Sequence, residues 1–370
     1  MNHIEKNEKH LNNEAPLLGA LIEGVIEKLA SKGLGILRHK GFVIFVPFTI
    51  ESELVLVEVV EVHKNFAFAK LLKVMKPSKH RILPKCPVFG ICGGCQLQHM
   101  EYDHQVEYKK KIVHESLSHI AKINIDEIDI EPSNLQWGYR RYITLKRRGK
   151  AFGFIANDNK SFVEIDYCPI FDDKKIDIKP NQTKLFKSDN HTHTILNLNI
   201  QSSPMAFLQN HPEQSQMIYQ EVVNQIKNIN PKRVLDLYCG IGILSTCLAK
   251  AGIECLGVEL NPHAIKLAKA NAVLNGAKKI QFISAAVEAV IEKLKDYEVV
   301  IINPPRTGMD KSVIDSIKKM APPHLFYISC MPQTLARDVN LLGYKVRSGK
   351  IYDMFPQTYH VETLLHLSQA

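Results

Sequence analysis

Val234-Leu235-Asp236-Leu237-Tyr238-Cys239-Gly240-Ile241-Gly242 reads as a short buried strand that runs into a glycine turn. Glycines at such a turn let the backbone approach a ligand closely, and ligands of open α/β sheets bind at the carboxyl ends of strands. The next apolar run, Cys255-Leu256-Gly257-Val258-Glu259, ends in an acid that can accept hydrogen bonds from ribose hydroxyls. Further apolar runs at 279–284, 299–303 and 325–330 alternate with amphipathic segments at 262–275 and 311–320. That alternation predicts βαβ units and a mainly parallel sheet from about Pro204 onward. A dinucleotide fold would carry a third glycine, whereas Gly240 and Gly242 are followed by Ser245. Less provision for a pyrophosphate favours S-adenosylmethionine, which has a ribose and an adenine but no phosphate, over a nucleotide cofactor.

Two residues near the carboxyl terminus are expected to act together, the first of them on the same rim of this sheet. Ile328-Ser329-Cys330-Met331-Pro332 places a thiol at the end of an apolar run, and Glu362 opens the last one, Thr363 to Leu367. A thiolate is a strong nucleophile able to add to an electron-poor alkene carbon such as C6 of uracil. The attack puts enolate character on C5, which then takes a methyl group, and a base must remove the C5 proton. Glu362 is the candidate base. Cys239, Cys247 and Cys255 read as packing residues.

Outward from this domain the texture changes. Residues 1–16 are polar and read as a mobile tail. Between Leu17 and Lys76, runs at 21–26, 42–47 and 54–62 are separated by turn signals and predict a small β-barrel. Residues 77–203 are irregular, with a polar helical stretch near 99–120 and an exposed loop or edge hairpin over 179–200. Within them, Cys86-x5-Cys92-x2-Cys95, with Cys168 downstream, supplies four thiolates, and Gly90, Gly93 and Gly94 supply tight turns. Such a set suits zinc or an iron–sulfur cluster. Trp137-Gly138-Tyr139-Arg140-Arg141-Tyr142 runs into Lys146-Arg147-Arg148-Gly149-Lys150 and Phe152-Gly153-Phe154. Cations of this kind hold phosphates while the rings stack on unpaired bases.

The whole chain of 370 residues carries a formal net charge of +9, which fits a polyanionic partner, nucleic acid foremost. With 45% hydrophobic residues it can bury a sizeable core. No apolar run approaches the roughly 20 residues of a membrane span. The amino terminus lacks the basic-then-apolar order of a signal peptide. A cytoplasmic, monomeric protein without membrane contact is expected.

Together these pieces resemble the RNA uracil-C5 methyltransferases, which make 5-methyluridine in ribosomal and transfer RNA. The resemblance covers nearly the whole chain after the tail. It implies an α/β fold: a Rossmann-like class I methyltransferase domain over 204–370, an N-terminal TRAM-like β-barrel over 17–76, and a central iron–sulfur and RNA-binding domain over 77–203. Cys86-Pro87-Val88-Phe89-Gly90-Ile91-Cys92-Gly93-Gly94-Cys95 is similar to that family's cluster motif, so a [4Fe–4S] cluster on Cys86, Cys92, Cys95 and Cys168 is implied. Phe207-Leu208-Gln209 looks like the start of the donor site, with Gln209 touching the donor, and Tyr238 and Glu259 match other donor-binding positions. Gly240 and Asn303 complete the expected donor-binding set. Ser329-Cys330-Met331-Pro332-Gln333-Thr334-Leu335-Ala336-Arg337-Asp338 resembles the nucleophile motif, and 354–362 the motif of the base.

Departures are visible. Asn303-Pro304-Pro305-Arg306 stands where the family has Asp-Pro-Pro-Arg, and an amide there changes the charge and the donor pattern. Asn210 and His211 follow Gln209 where an asparagine is usual, Met331 replaces an asparagine, and Ile243 stands where a side-chain amide is common. The TRAM-like domain and the cluster point to 23S ribosomal RNA as substrate, with transfer RNA the alternative. Two other classes stay open. Asn-Pro-Pro is a mark of methyltransferases acting on exocyclic amines, although Arg306 replaces their aromatic residue. A decayed, non-catalytic RNA-binding protein is the other.

Overall fold

The structure, a computed structural model, describes residues 14–123, 128–171, 176, 184–186 and 191–369. Most of the expected tail, and much of the 179–200 segment, lie outside the described residues. By compactness the chain divides into two units: Met1–Gln105 with Ile155–Val163 and Gln357–Tyr359, and Val106–Phe154 with Glu164–Pro356 and His360–Ala370.

In the first unit, β1 (Leu21–Ala30), β2 (Leu34–His39), β3 (Phe42–Pro47), β4 (Leu54–Val62) and β5 (Phe66–Lys76) close into a barrel in the order β1-β2-β3-β5-β4. Closure leaves no unpaired strand edge. Alternate residues point inward, as the pleat requires, so Ile26, Leu37, Ile44, Val46, Val55, Val57 and Ala67 form its core. β2 and β5 carry a weaker period-two signal, because small residues, Gly35 and Ala67, occupy inward positions. The chain then pins itself to the barrel. Arg81 donates to both carboxylate oxygens of buried Glu53, at 2.5 and 2.7 Å, and Glu53 also accepts from the Ile50 and Ser78 amides.

The segment between barrel and sheet carries α1 (Tyr102–Ala121), β6 (Ile130–Glu131), β7 (Tyr142–Thr144), β8 (Lys146–Arg148), β9 (Ala151–Ile155), β10 (Phe162–Glu164) and β11 (Lys184–Phe186). β12 (Thr192–Ile195) and β13 (Leu198–Gln201) form a two-stranded hairpin at the end of the 179–200 segment, where an exposed loop or edge hairpin is expected. Its turn residues Leu196 and Asn197 both have positive φ, the conformation of a tight two-residue hairpin turn.

The second unit is built on an eight-stranded sheet. Its strands are β14 (Arg233–Leu237), β15 (Glu254–Glu259), β16 (Ile280–Ser284), β17 (Val299–Ile302), β18 (His324–Ser329), β19 (Lys345–Tyr352) and β20 (Glu362–Ser368), with β6 at one edge. The order is β16-β15-β14-β17-β18-β20-β19-β6. β14 to β18 are parallel, and β20 runs antiparallel between β18 and β19. The helices are α2 (Pro212–Ile229), α3 (Ile243–Lys250), α4 (Pro262–Leu274), α5 (Val287–Val290), α6 (Lys311–Met320) and α7 (Pro332–Leu342). β17 is wholly buried and reads as a continuous apolar run, as a strand covered on both faces must. Among the described residues no helix is long and apolar enough to cross a membrane.

Candidate active site

Strand order reverses beside β14, whose neighbours β15 and β17 lead off in opposite directions. The loops after β14 and β17 therefore diverge and leave a crevice at the carboxyl rim. A cleft opens there, lined by Phe207, Gln209, Tyr219, Asp236, Tyr238, Gly240 and Asn303 among others. Four of the five expected donor-binding residues thus share one cleft.

The fifth, Glu259, shapes the cleft floor from the end of β15. Its carboxylate accepts from the Gly240 amide at 3.1 Å and from the Asn261 amide at 2.8 Å. It thereby holds the glycine turn against the start of α4. Gly242 must be glycine: its φ is +74°, and a Cβ would lie 2.8 Å from Phe282 Cζ and 2.9 Å from Ala268 Cβ. Tyr238 ends β14 at φ +62°, a left-handed conformation uncommon for a bulky residue, and its hydroxyl donates to Glu288 at 3.4 Å. Asp236 is buried below the cleft and accepts a short hydrogen bond from Ser245 Oγ. Burial pushes its carboxyl up to about 7, against the pull of Ser245. The sequence reading took Ser245 only as a missing glycine, yet here it anchors that acid.

Cys330 sits immediately beyond β18 and just ahead of α7. β20 is antiparallel, so its first residue lies at the same rim as the last residues of β18. Ser329 pairs with Thr363, and one further step along that register sets Cys330 across from Glu362. Glu362 is buried, at 2% exposure. Burial pushes it up to about 8, with only the Arg306 guanidinium pulling it down. Burial also pushes the half-buried Cys330 thiol up to about 11, helped by the Glu362 charge and opposed by the Arg306 guanidinium. Cys239, the rival thiol, is driven well above 9 by burial and by Asp236 and Glu259, with no cation facing it. Position and electrostatics distinguish the two cysteines.

Several contributors escaped the sequence reading. Arg337 and Asp338, at the end of the cysteine motif, clamp the loop after β17. Arg337 Nη2 donates to Thr307 O at 3.0 Å and Met309 O at 3.2 Å. Asp338 accepts from the Met309 amide at 2.8 Å and from the Tyr327 hydroxyl at 2.6 Å. Lys109 and Asp353 form a fully buried ion pair at 2.5 Å, and Lys109 also donates to Phe355 O at 3.0 Å. The pair fixes the backbone leading from β19 toward Glu362. His211 caps α2 through Nδ1 and stacks on Tyr139 at 4.8 Å, while Asn210 bonds both backbone groups of Tyr142 at 3.0 Å. These two residues occupy the place of the displaced asparagine and tie the basic aromatic segment to the cleft-lining segment. Only contacts distant in sequence reveal them.

None of the eight cysteines forms a disulfide. Cys86, Cys92 and Cys95 lie in the first unit and Cys168 in the second. The Gly94 amide donates to Cys92 Sγ at 3.4 Å, and the Cys86 amide to Gln98 Oε1 at 3.0 Å. Among the described residues no group of three or more histidine, cysteine or carboxylate side chains is placed to hold a metal ion. By type the four thiolates suit a cluster.

The crevice at the strand-order reversal, the glycine turn and the acid after β15 define a class I methyltransferase domain, joined to a closed five-stranded barrel. A family model described as tRNA (Uracil-5-)-methyltransferase matches residues 196–370, and one described as TRAM domain matches 19–72. An uncharacterised RNA methyltransferase of Protochlamydia amoebophila is 37% identical over 424 residues, covering 94% of this chain and 98% of its own. The 23S rRNA (uracil(1939)-C(5))-methyltransferase of Shewanella amazonensis is 31% identical, with coverages of 95% and 96%. The fold is that of the tRNA (uracil-54, C5)-methyltransferase of Pyrococcus abyssi, solved with S-adenosyl-L-homocysteine: TM-score 0.74, 24% identity, coverages 94% and 100%. The chain belongs to the RNA uracil-5-methyltransferase family and is an enzyme.

Proposed function

We propose that the protein transfers a methyl group from S-adenosylmethionine to C5 of a uridine in RNA through a covalent adduct on Cys330. The observation that carries this reading is the antiparallel register that sets Cys330 across from Glu362 beside the cleft. Gln209, Tyr238, Gly240, Glu259 and Asn303 are the residues that would hold the donor. The donor supplies an electrophilic methyl on a sulfonium.

Cys330 adds as thiolate to C6, and the C5=C6 electron pair moves toward C5 and O4. C5 takes the methyl as the methyl–sulfur bond breaks. Glu362 removes the C5 proton, the double bond re-forms, and the C6–sulfur bond breaks to free Cys330. The uridine must leave its stack, since the sulfur and the methyl approach opposite faces of the ring. A carboxyl with a proton affinity near 8 is matched to this proton transfer close to neutral pH.

The substrate we favour is 23S ribosomal RNA, with transfer RNA the alternative. The similarity to a relative named for 23S rRNA supports the first, and the likeness in fold to one named for tRNA keeps the second. The barrel and the exposed basic hairpin of β8 and β9, where Arg147 lies over the Phe152 ring at 5.6 Å, are the proposed RNA contacts. The enzyme is proposed to act as a cytoplasmic monomer. A [4Fe–4S] cluster on Cys86, Cys92, Cys95 and Cys168 is proposed from the sequence motif, and no step of the reaction passes through it. Equimolar iron and sulfide in anaerobically purified protein, lost together in Cys92→Ser, is the expected outcome, and metal-free protein would remove the cluster from the proposal.

The test of the reaction is RNA containing 5-fluorouridine. Fluorine at C5 cannot leave as a proton, so the adduct should persist on denaturing gels and map to Cys330. Methyl transfer to ordinary RNA without any such adduct would overturn the mechanism. Cys330→Ala decides against an amine methyltransferase, which would keep its turnover.

A further inference from the structure

Phe207 and Gln209 reach the donor cleft from a short strap, residues 204–211, that lies between β13 and α2. Both ends of the strap are tied to one small sheet, the antiparallel pair of β7 and β11. At the first end, Lys184 of β11 donates to Pro204 O at 3.0 Å while its ammonium lies 4.0 Å over the Tyr142 ring. At the second end, the side chain of Asn210 acts as a neighbouring strand would. Its Oδ1 accepts from the Tyr142 amide and its Nδ2 donates to Tyr142 O, both at 3.0 Å. Asn210 O accepts from the Arg141 amide at 2.9 Å.

His211 completes the second tie. Its Nδ1 accepts from the Gln214 amide, so the ring proton sits on Nε2, which donates to Ser133 Oγ at 2.7 Å. Burial pulls the imidazole below its ordinary value and keeps it neutral, as that cap requires. The ring stacks on Tyr139 at 4.8 Å. Leu208, Gln209 and His211 are all buried, so in a close-packed interior Gln209 cannot shift without straining the ties beside it.

The same small sheet leads into the RNA-facing strand. Leu145 alone separates β7 from β8, whose Lys146, Arg147 and Arg148 are all exposed. Cations that grip phosphates on β8 therefore steady β7, and β7 steadies the strap. We propose that Asn210 is a positioning residue that couples the two substrates: RNA held by the basic hairpin fixes Tyr142, and Asn210 passes that constraint to Gln209 in the donor cleft. This rests on the RNA and donor readings proposed above. Coupling between sites is reciprocal, so a bound donor strengthens RNA binding by the same factor.

The test is equilibrium dialysis of radiolabelled S-adenosylhomocysteine against the full chain, with and without saturating RNA. Total RNA from cells lacking this protein is the probe, since it holds ribosomal and transfer RNA unmodified at the target. The readout is the ratio of the two dissociation constants, because a variant that merely loosens the cleft weakens both alike and leaves the ratio unmoved. In the wild type, RNA should tighten binding about tenfold, within the range usual for coupled sites. Asn210→Ala should abolish that gain. Asn210→Asp, which accepts from the Tyr142 amide but cannot donate to its carbonyl, should fall between. A thermal melt accompanies each variant. His211→Asn, which keeps a capping side chain and loses the stack on Tyr139, replaces Asn210→Ala if that variant does not fold. No effect of RNA in the wild type, or equal ratios in wild type and Asn210→Ala, would overturn the proposal. Failure of the product to bind with or without RNA would sink the coupling together with the donor site it rests on. No methyl is transferred in this assay, so coupling in a protein that forms no 5-fluorouridine adduct would sink the proposed reaction and leave the role of Asn210 standing.

Discussion

Glu362→Gln is the substitution whose consequences follow most directly from the structure. The carboxyl binds its proton with an affinity that rises from the ordinary 4.5 to about 8 on folding, because the buried site disfavours the charge. The folded chain therefore holds this proton more tightly than the unfolded chain. Stability from this group is fully present below about 4.5 and drains away as pH rises to about 8. Across that window the loss amounts to about 5 kcal/mol, taking 1.36 kcal/mol for each pH unit between the two affinities. Glutamine has the same shape and never ionises. The two proteins should melt together near pH 4, and the variant should gain steadily above it. By pH 9 its methyltransferase unit should melt on the order of 10 °C higher, at roughly 2–4 °C per kcal/mol for a unit of this size. Thermal melts of both full-length proteins from pH 4 to pH 9 measure this. A gap that stays constant with pH would mean that Glu362 titrates as an ordinary carboxyl, and the argument for a tuned base would fail. The same variant should lose turnover while accumulating the Cys330 adduct on unmodified RNA, since only proton removal is blocked.

Three other outcomes follow from the site. Wild-type turnover should climb through pH 8 as Glu362 ionises, and a flat pH–rate profile between 6 and 9 would contradict that assignment. Cys239→Ala should keep turnover within a few fold, because that thiol is driven well above 9 and faces no cation, whereas Cys330→Ala should abolish it; methyl incorporation into RNA compares them. Lys109→Met should destabilise the second unit by about 3–5 kcal/mol in urea melts, since it leaves Asp353 charged and buried without its partner.

How much could be read in advance differs from residue to residue. The alternation of apolar runs with amphipathic segments is local, so the strands at 233–237, 254–259, 299–302 and 324–329 and the helices at 262–274 and 311–320 lie within a residue or two of where it puts them. Gln209, Tyr238, Gly240 and Asn303 line one cleft, the last three because they follow β14 and β17, whose position the parallel sheet imposes. Other residues gave no such signal. Arg306 stands where an aromatic ring would mark an amine methyltransferase, and the loop that carries it is clamped by Arg337 and Asp338 from about thirty residues away. The buried pair Lys109–Asp353 spans 244 residues of sequence and could not be anticipated from either end.

Short segments carry the class of fold, the glycine turn with its acid, and the thiol and carboxylate as candidates, because periodicity, turn chemistry and residue type are local properties. Only folding places β20 antiparallel beside β18, and so Glu362 at the rim where Cys330 lies. It also decides which thiol has a cation beside it and which acid is deprived of water. Proton affinity depends on burial and on charges brought close by folding, and neither is written in the order of the residues.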